Sequence, residues 1–280
     1  MTTLTRLDNY GFLAITGKDA QKFLQGYATC DIEDITDTLT AIGATLNLQG
    51  RMVTSFRLAR IEDGFLLRMS RDLVPATQEF LKKYIVFSKA QMNDLSDTLY
   101  CYGISGEVDG GPAANREIAR LGDGYIVRVS DSARFEAWSP DAELSIVGAS
   151  AGEPADWFAA EIDEGMAFLT AVTAGEFIPQ MFGYDEIGAV DFDKGCYLGQ
   201  EIVARMHYRG ASGRKLFRGT SSAAPVVGDT ISDPAGKAIG TVVAAAAGRL
   251  LAVVQSKADD VPEGRVAGGE VVNLERISRS

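Results

Sequence analysis

The strongest constraint on how this 280-residue chain can fold is an internal echo. Asp63-Gly64-Phe65-Leu66-Leu67-Arg68-Met69-Ser70 recurs as Asp123-Gly124-Tyr125-Ile126-Val127-Arg128-Val129-Ser130. Four of the eight positions are identical, and the other four exchange one apolar residue for another. In each copy Asp-Gly supplies a turn and the apolar run behind it a strand. The first copy leads into a helical pattern over 73–84, the second into a weaker helical pattern over 133–138. The physical reading is two similar strand–helix units packed side by side, as in a split βαβ, ferredoxin-like layer. Two independent solutions to a good hairpin turn would give the same match.

Around the echo the texture is mixed. Residues 11–16 read as a strand, followed by a helix opening at Gly17 or Asp19, with Ala20, Phe23, Leu24 and Tyr27 at helical spacing. Residues 43–58 are strand-like, interrupted by a tight turn at Leu48-Gln49-Gly50-Arg51. Residues 103–115 form a loop, and helical spacing returns over 157–166. A further helix opens near Gly195-Cys196 and includes Gln200, Glu201, Val203 and Ala204. Beyond Arg214 short β-type runs alternate with Gly and Pro turns such as Asp233-Pro234-Ala235-Gly236, which predicts a small barrel or sandwich. The fold class is therefore α+β.

No stretch approaches the ~18–20 uninterrupted apolar residues of a membrane span. The first residues carry neither a secretory nor a transit pattern. Three cysteines, Cys30, Cys101 and Cys196, form no CxxC pair and argue for a reducing compartment. The cytoplasm is the simplest address. A net charge of −11 argues against general nucleic-acid binding. Yet Lys194, Arg205, Arg209, Arg214, Lys215 and Arg218 face only Glu201 within one stretch, a local net charge of +5. That stretch is either a solvated basic face or a docking region for a small anionic ligand.

The same stretch holds the unusual chemistry. Glycines flank Cys196 at 195 and 199, and a helix start there, with Lys194, would lower the thiol pKa. The alternative is an inert structural cysteine. Gln200 beside Glu201 can read a heterocycle with adjacent N–H and C=O groups, or simply decorate a helix. Glu176 and Gln180 flank the rigid Pro179, and Asp163 and Glu164 precede Gly165. His207 is the sole histidine, so a nucleophilic dyad would have to use it. No Gly-x-Ser-x-Gly elbow, no dinucleotide or phosphate-loop glycine pattern and no metal-ligand spacing is present.

Lys194-Gly195-Cys196-Tyr197-Leu198-Gly199-Gln200-Glu201 resembles the K-G-C-Y-x-G-Q-E signature of the YgfZ family of folate-binding proteins. The preceding Glu176-Phe177-Ile178-Pro179-Gln180 and the following Val203-Ala204-Arg205 and Arg209-Gly210 are similar to that family's surroundings. So are Asp19-Ala20, Phe23-Leu24-Gln25-Gly26, Lys83-Tyr84 and Ser88-Lys89, shared with the broader glycine-cleavage T-protein group. The resemblance implies a three-domain, ring-like T-protein fold. Residues 1–48 and 140–209 would form a discontinuous folate-binding domain, 49–139 a ferredoxin-like domain and 210–280 a small β-barrel. It implies tetrahydrofolate as the bound cofactor, held by Asp163, Glu176, Gln180, Tyr197, Gln200, Glu201 and Arg205. Cys196 would be the key thiol and Lys194 its activator. The implied role is an accessory one, in assembly or repair of iron–sulfur clusters in client enzymes, with those clients or assembly proteins as partners and neither membrane nor nucleic acid.

Two departures qualify this. The T-protein Asp-Asp pair is replaced by Thr54-Ser55, and neither can stabilise positive charge on a one-carbon unit as a carboxylate would. That weighs against the alternative, an aminomethyltransferase-like one-carbon transferase, and leaves a plain folate-binding module as a third reading. Asp163 also stands where a pterin-facing Glu is expected, so either the ligand sits closer, Glu164 substitutes, or folate binding is weaker.

Overall fold

The computed structural model describes residues 1–210, 213–256, 263–266 and 269–277. The chain opens with β1 (Thr2–Arg6), β2 (Tyr10–Thr16), α1 (Ala20–Gln25), β3 (Ala41–Leu46), β4 (Met52–Ile61) and β5 (Gly64–Ser70). A 3-10 turn at Arg71–Leu73 leads into α2 (Val74–Ile85), then β6 (Gln91–Asp94), β7 (Tyr100–Ser105), β8 (Ile118–Leu121), β9 (Gly124–Arg128) and β10 (Arg134–Ser139). After β11 (Ala149–Ala151) and α3 (Pro154–Asp163), a long irregular segment containing a 3-10 turn at Pro179–Phe182 reaches α4 (Gln200–Arg209). The rest is β12 (Arg214–Thr220), β13 (Thr230–Ser232), β14 (Ala238–Ala246), β15 (Arg249–Gln255), β16 (Gly264–Arg265) and β17 (Val271–Arg276).

Three sheets result. A five-stranded sheet has the order β3-β4-β5-β2-β6, a six-stranded sheet the order β11-β1-β7-β10-β9-β8, and the C-terminal strands close into a six-stranded barrel. The predicted barrel is present, and the helical patterns over 73–84 and 157–166 appear as α2 and α3.

The two open sheets stack because the central strands are apolar on both faces. Side chains alternate along a strand, so β2 sends Phe12 and Ala14 to one side and Leu13 and Ile15 to the other. Phe12 and Ala14 join Ala59 and Leu66 against Cys101, Val127 and Trp138 of the six-stranded sheet. Leu13 and Ile15 join Leu67, Met69, Phe56 and Leu58 under α1, the 167–203 segment, and Leu216, Val243 and Leu251 of the barrel. The five-stranded sheet is thus the middle layer on which the other parts are mounted.

The contact between the sheets is not wholly apolar. Arg68 and Glu136 form an ion pair whose side chains are both fully buried. Arg68 Nε donates to Glu136 Oε2 at 3.0 Å, and the Trp138 indole donates to the same oxygen at 2.9 Å. The Arg68 guanidinium lies over the rings of Tyr10, at 4.0 Å, and Phe168, at 4.3 Å. A buried pair held this way is costly to break from one side.

The echo carries a correction. Its copies do not lie side by side: β5 belongs to the five-stranded sheet and β9 to the six-stranded one. Nor is 133–138 helical. It is β10, paired on both edges, with Phe135 and Ala137 facing one apolar cluster and Trp138 the other. The duplication is instead in the connectivity. β2 followed by β3, β4 and β5 gives the order β3-β4-β5-β2, and β7 followed by β8, β9 and β10 gives β8-β9-β10-β7. In that correspondence β5 matches β10, one strand away from the sequence match. The expected boundary at residues 48/49 falls in the turn between β3 and β4, which pair along their length.

Candidate functional site

The first six residues of the octapeptide form a loop pinned to the segment that follows α1, and the last two open α4. Asp191 Oδ1 accepts from the backbone N–H of Asp193, at 2.7 Å, and of Lys194, at 2.8 Å, which turns the chain. The buried ammonium of Lys194 donates to the carbonyls of Ala28, at 2.9 Å, and Cys30, at 2.7 Å. Four residues on, Leu198 N–H donates to the Gly26 carbonyl at 3.0 Å. Between these pins Tyr197 turns inward, and its hydroxyl is buried without a hydrogen-bond partner. Cys196 points outward and is exposed.

Glycine makes the exit from this loop possible. Gly199 has φ +81°, and a Cβ there would meet the Asn47 carbonyl oxygen at 2.6 Å. On the facing turn Gly50 has φ +72°, with Ile202 of α4 at 2.7 Å from any Cβ. The 47–51 turn and the start of α4 therefore interlock through two residues that must lack side chains.

This geometry changes the expected roles. α4 begins at Gln200, four residues beyond Cys196, so its N-terminal amides are not at the thiol. Lys194 is committed to two carbonyls and has the electrostatic character of a buried anchor. Burial pulls its pKa below the usual lysine value, opposed by Cys30, Asp31, Asp191 and Glu33. Burial pushes the Cys30 thiol up to about 11 despite Lys194, and holds the Cys101 thiol well above its ordinary value. Neither buried cysteine is available as a thiolate. The exposed thiol is Cys196.

The other sequence candidates divide into groups. Gln180 Nε2 donates to the Val203 carbonyl inside α4 at 2.8 Å, while its Oε1 is buried without a partner. Glu176 has an exposed side chain, and its carbonyl accepts from Arg51 Nη1 at 2.5 Å, tying that segment to the 47–51 turn. Gln200 is half-buried at the start of α4. Glu201 and Arg205 lie one turn apart on the outer face of α4, lining an open cleft of about 350 Å³ with Tyr208 and Arg209. His207 stacks on Phe192 at 3.8 Å, and among the described residues no hydrogen bond joins it to a cysteine. Asp31, Asp34 and Asp191 bring carboxylate oxygens within 4.8 Å of one another, with the Lys194 ammonium as a countercharge to Asp31 and Asp191.

Asp163 is elsewhere. It closes α3 and pairs with Arg249 of the barrel at 3.1 Å, and among the described residues no hydrogen bond or ion pair joins it to the octapeptide. Glu164 is equally occupied, accepting from Ser130 at 2.6 Å, Ser132 at 2.9 Å and Arg134 at 2.6 Å. A buried carboxylate that sequence reasoning missed is Glu161. It lines a cavity of about 150 Å³ with Tyr10, Ser70, Phe168, Thr170 and Val243, where the five-stranded sheet, α3 and the barrel meet. The Tyr10 hydroxyl donates to both Glu161 oxygens, at 2.8 and 3.1 Å. Burial raises the Glu161 pKa, against the opposing pull of Arg68 and Arg134. The only hint in the sequence was an acid at a core-facing position of α3, one turn from Trp157.

Thr54 and Ser55 are fully buried. Ser55 Oγ accepts from Leu169 N–H at 2.8 Å, and Thr54 Oγ1 donates to Met69 Sδ at 3.6 Å. Both hydroxyls hold structure together.

The chain is 32% identical over 286 residues to the tRNA-modifying protein YgfZ of Klebsiella pneumoniae, covering 93% of this chain and 87% of that one. It is 33% identical over 277 residues to the protein of the same name from Cronobacter sakazakii, covering 90% and 84%. The chain belongs to the YgfZ family. Among solved structures, the glycine cleavage system aminomethyltransferase T of Bartonella henselae superposes with a TM-score of 0.76 at 15% identity, covering 98% of this chain and 84% of that one. The T-protein fold expected from the octapeptide is therefore the fold of this family member. No protein-family profile matches the chain, and no helix among the described residues is long and apolar enough to cross a membrane.

Proposed function

We propose that this protein is a tetrahydrofolate-binding accessory factor that supports assembly or repair of iron–sulfur clusters in client enzymes, with Cys196 as its reacting thiol. The observation that carries the reading is the loop itself. Lys194 and Leu198 clamp it to residues 26–30 on either side of a single exposed cysteine. A thiol held rigidly and turned outward is built to meet something brought from outside.

The cavity at Glu161 fits the ring of a reduced folate. A pterin offers adjacent N–H donors to a carboxylate and a flat face to apolar walls, here supplied by Glu161 with Tyr10 and by Phe168 and Val243. At about 150 Å³ the cavity takes a ring and not a whole folate, so the glutamyl tail extends outward. When bound, the folate would supply one-carbon or electron-rich ring chemistry. This chain's own part is to orient the ring through Glu161 and to exclude water with the barrel wall. Arg205 and Arg209 on the outer face of α4 are suited to glutamyl carboxylates, with Glu201 of the same cleft opposing them.

The relatives' tRNA-modifying role enters through clients. An acidic chain that sustains an iron–sulfur enzyme of tRNA modification would affect tRNA without gripping it. Aminomethyl transfer is disfavoured, because the buried Thr54 and Ser55 leave no carboxylate where that chemistry needs one.

Two measurements test the proposal. Calorimetry should show tetrahydrofolate binding, tighter for polyglutamates and weakened by salt. Cells lacking the gene should lose iron–sulfur enzyme activity, restored by the wild-type gene and not by Cys196→Ala. Full rescue by Cys196→Ala would remove the thiol from the mechanism.

A further inference from the structure

An aromatic surface begins where the Cys196 loop is pinned. Gly26 and Ala28, whose carbonyls receive Leu198 and Lys194, bracket Tyr27. The Tyr27 ring lies 4.9 Å from that of Tyr84 on α2, and Tyr84 lies 5.7 Å from Phe80. Just past the end of α2, Val86 is 65% exposed and Phe87 93% exposed. Phe87 is the most exposed aromatic among the described residues, on a protein whose other phenylalanines are mostly buried.

The rim is basic. Lys82 and Lys83 sit on the last turn of α2, and Lys89 follows Phe87 by two residues. Lys18 and Lys22 flank the start of α1, held near Lys89 by the Asp19 carboxylate, which accepts from Lys89 N–H at 2.7 Å. All five lysines are exposed; Asp19 lies among them, Glu79 pairs with Lys82 at 3.7 Å, and Lys18 shares its cleft with Asp37, Glu62 and Asp63. Helix-dipole preference accounts for Lys22, Lys82 and Lys83, each in the last turn of its helix, but not for Lys18 and Lys89. On a chain of net charge −11, Lys22, Lys82, Lys83 and Lys89 against Asp19 and Glu79 make a second positive region.

Lysines beside aromatics could suggest nucleic acid, but the ring geometry speaks against it. Base stacking needs free ring faces. Tyr27 and Tyr84 cover each other, tilted by 34°, and the Lys83 ammonium sits 5.7 Å over Phe80. What the surface offers is three half-buried rings, an aliphatic Val86 and one protruding Phe87. That combination suits an apolar side chain set in an acidic segment, as at the centre and rim of a protein interface.

We propose that the surface of Tyr27, Phe80, Tyr84, Val86 and Phe87, with its lysine rim, docks a partner protein through an acidic segment carrying an apolar or aromatic anchor, and thereby presents that partner to Cys196. The proposal rests on the accessory role given above, because it supplies the contact that role requires. The substitutions lie outside the Cys196 loop and the Glu161 cavity, so folate binding serves as an internal control.

The experiment places a photo-crosslinking p-benzoylphenylalanine at position 87 of the full-length protein in cells. The adduct is identified by mass spectrometry, and its partner is purified. Affinity is then measured for the wild type, Phe87→Glu and the double variant Lys82→Glu/Lys83→Glu. The expected result is an adduct on an acidic segment, affinity at least ten-fold lower for each variant, and recovery when the partner's acids are reversed to lysine. Melting temperature and tetrahydrofolate affinity should stay at wild-type values. An adduct on RNA, no adduct, or affinities unchanged by the variants would overturn the docking surface. If the charge swap succeeds but gene loss leaves iron–sulfur enzymes untouched, the accessory role fails and the surface stands.

Discussion

Replacing Lys194 by methionine separates anchoring from activation. The substitution keeps the length of the stem and removes the ammonium, leaving the Ala28 and Cys30 carbonyls buried without their donor. Each charge-assisted hydrogen bond is worth roughly 1.5–3 kcal/mol net. The loss is offset in part because a buried ammonium no longer has to be desolvated, the effect that lowers the Lys194 pKa. The net destabilisation should be about 2–4 kcal/mol, which at about 2.1 cal/mol/K per residue lowers the melting temperature of this 280-residue chain by roughly 3–7 °C. Thermal melts with amide exchange should show the loss of protection concentrated at residues 28–30 and at Leu198. The alkylation rate of Cys196 is then followed against pH. An anchor changes the rate by letting the loop move but leaves the titration midpoint in place; an activator shifts the midpoint upward when it is removed. A melt within about 1 °C of wild type, with exchange at 28–30 unchanged, would refute the anchoring argument. A shifted midpoint would restore Lys194 to the role the sequence first suggested.

The remaining predictions concern groups around that centre. At pH 8 the native protein should titrate a single thiol with a disulfide reagent and the denatured protein three, because Cys30, with its pKa pushed to about 11, and Cys101 are buried and protonated. Two reactive native thiols would contradict the burial. Glu136→Gln should destabilise by about 3–5 kcal/mol in urea unfolding, since it strands the Arg68 charge between the sheets. A loss below about 1 kcal/mol would mean the pair is not dry. Glu161 has a raised folded pKa, so its contribution to stability is full below its ordinary value of 4.5 and is lost as pH rises through the folded value. Glu161→Gln should therefore flatten the fall in melting temperature above pH 4.5 while weakening tetrahydrofolate binding; an unaltered slope would show that the carboxyl is solvated.

Much of the architecture was legible because it is local. The apolar spacing of Ala20, Phe23 and Leu24 gave α1, the 48–51 turn gave the β3–β4 hairpin, and Gly and Pro punctuation after Arg214 gave the barrel. What failed was long-range. The 133–138 run has the composition of a short helix, yet it becomes β10 because β7 and β9 pair with both of its edges and both of its faces are covered. Period alone does not separate a short buried strand from a helix. The echo misled for a related reason: a good Asp-Gly hairpin is a local solution, whereas the true duplication is a winding order that four strands share without sharing residues.

The site divides along the same line. Cys196 and its flanking glycines lie in one contiguous segment, so the sequence showed both the thiol and the close approaches that Gly199 makes. The partners of that segment lie far earlier, 166 and 164 residues before Lys194 for its two bonds. Reading Lys194 as an activator of its near neighbour in sequence was the natural local inference. Its side chain instead spans to the segment that follows α1 and holds the loop in place. Glu161 is the opposite case. It looks like one more helix acid until Tyr10, Arg68 and the barrel close around it, and only then does burial give it a shifted pKa and a cavity to face. A thiol whose position depends on residues 26–30, and a carboxylate whose acidity depends on three separate parts of the fold, make both groups sensitive to how those parts pack. Substitutions at the Gly50–Ile202 contact, remote from either group's chemistry, should therefore loosen the Cys196 loop before they affect the Glu161 cavity. Gly50→Ala, which places a Cβ 2.7 Å from Ile202 at a φ of +72°, is the direct test. Amide exchange should rise at 197–203 and stay unchanged at 159–163, and equal loosening at both would show that the two groups share one rigid frame.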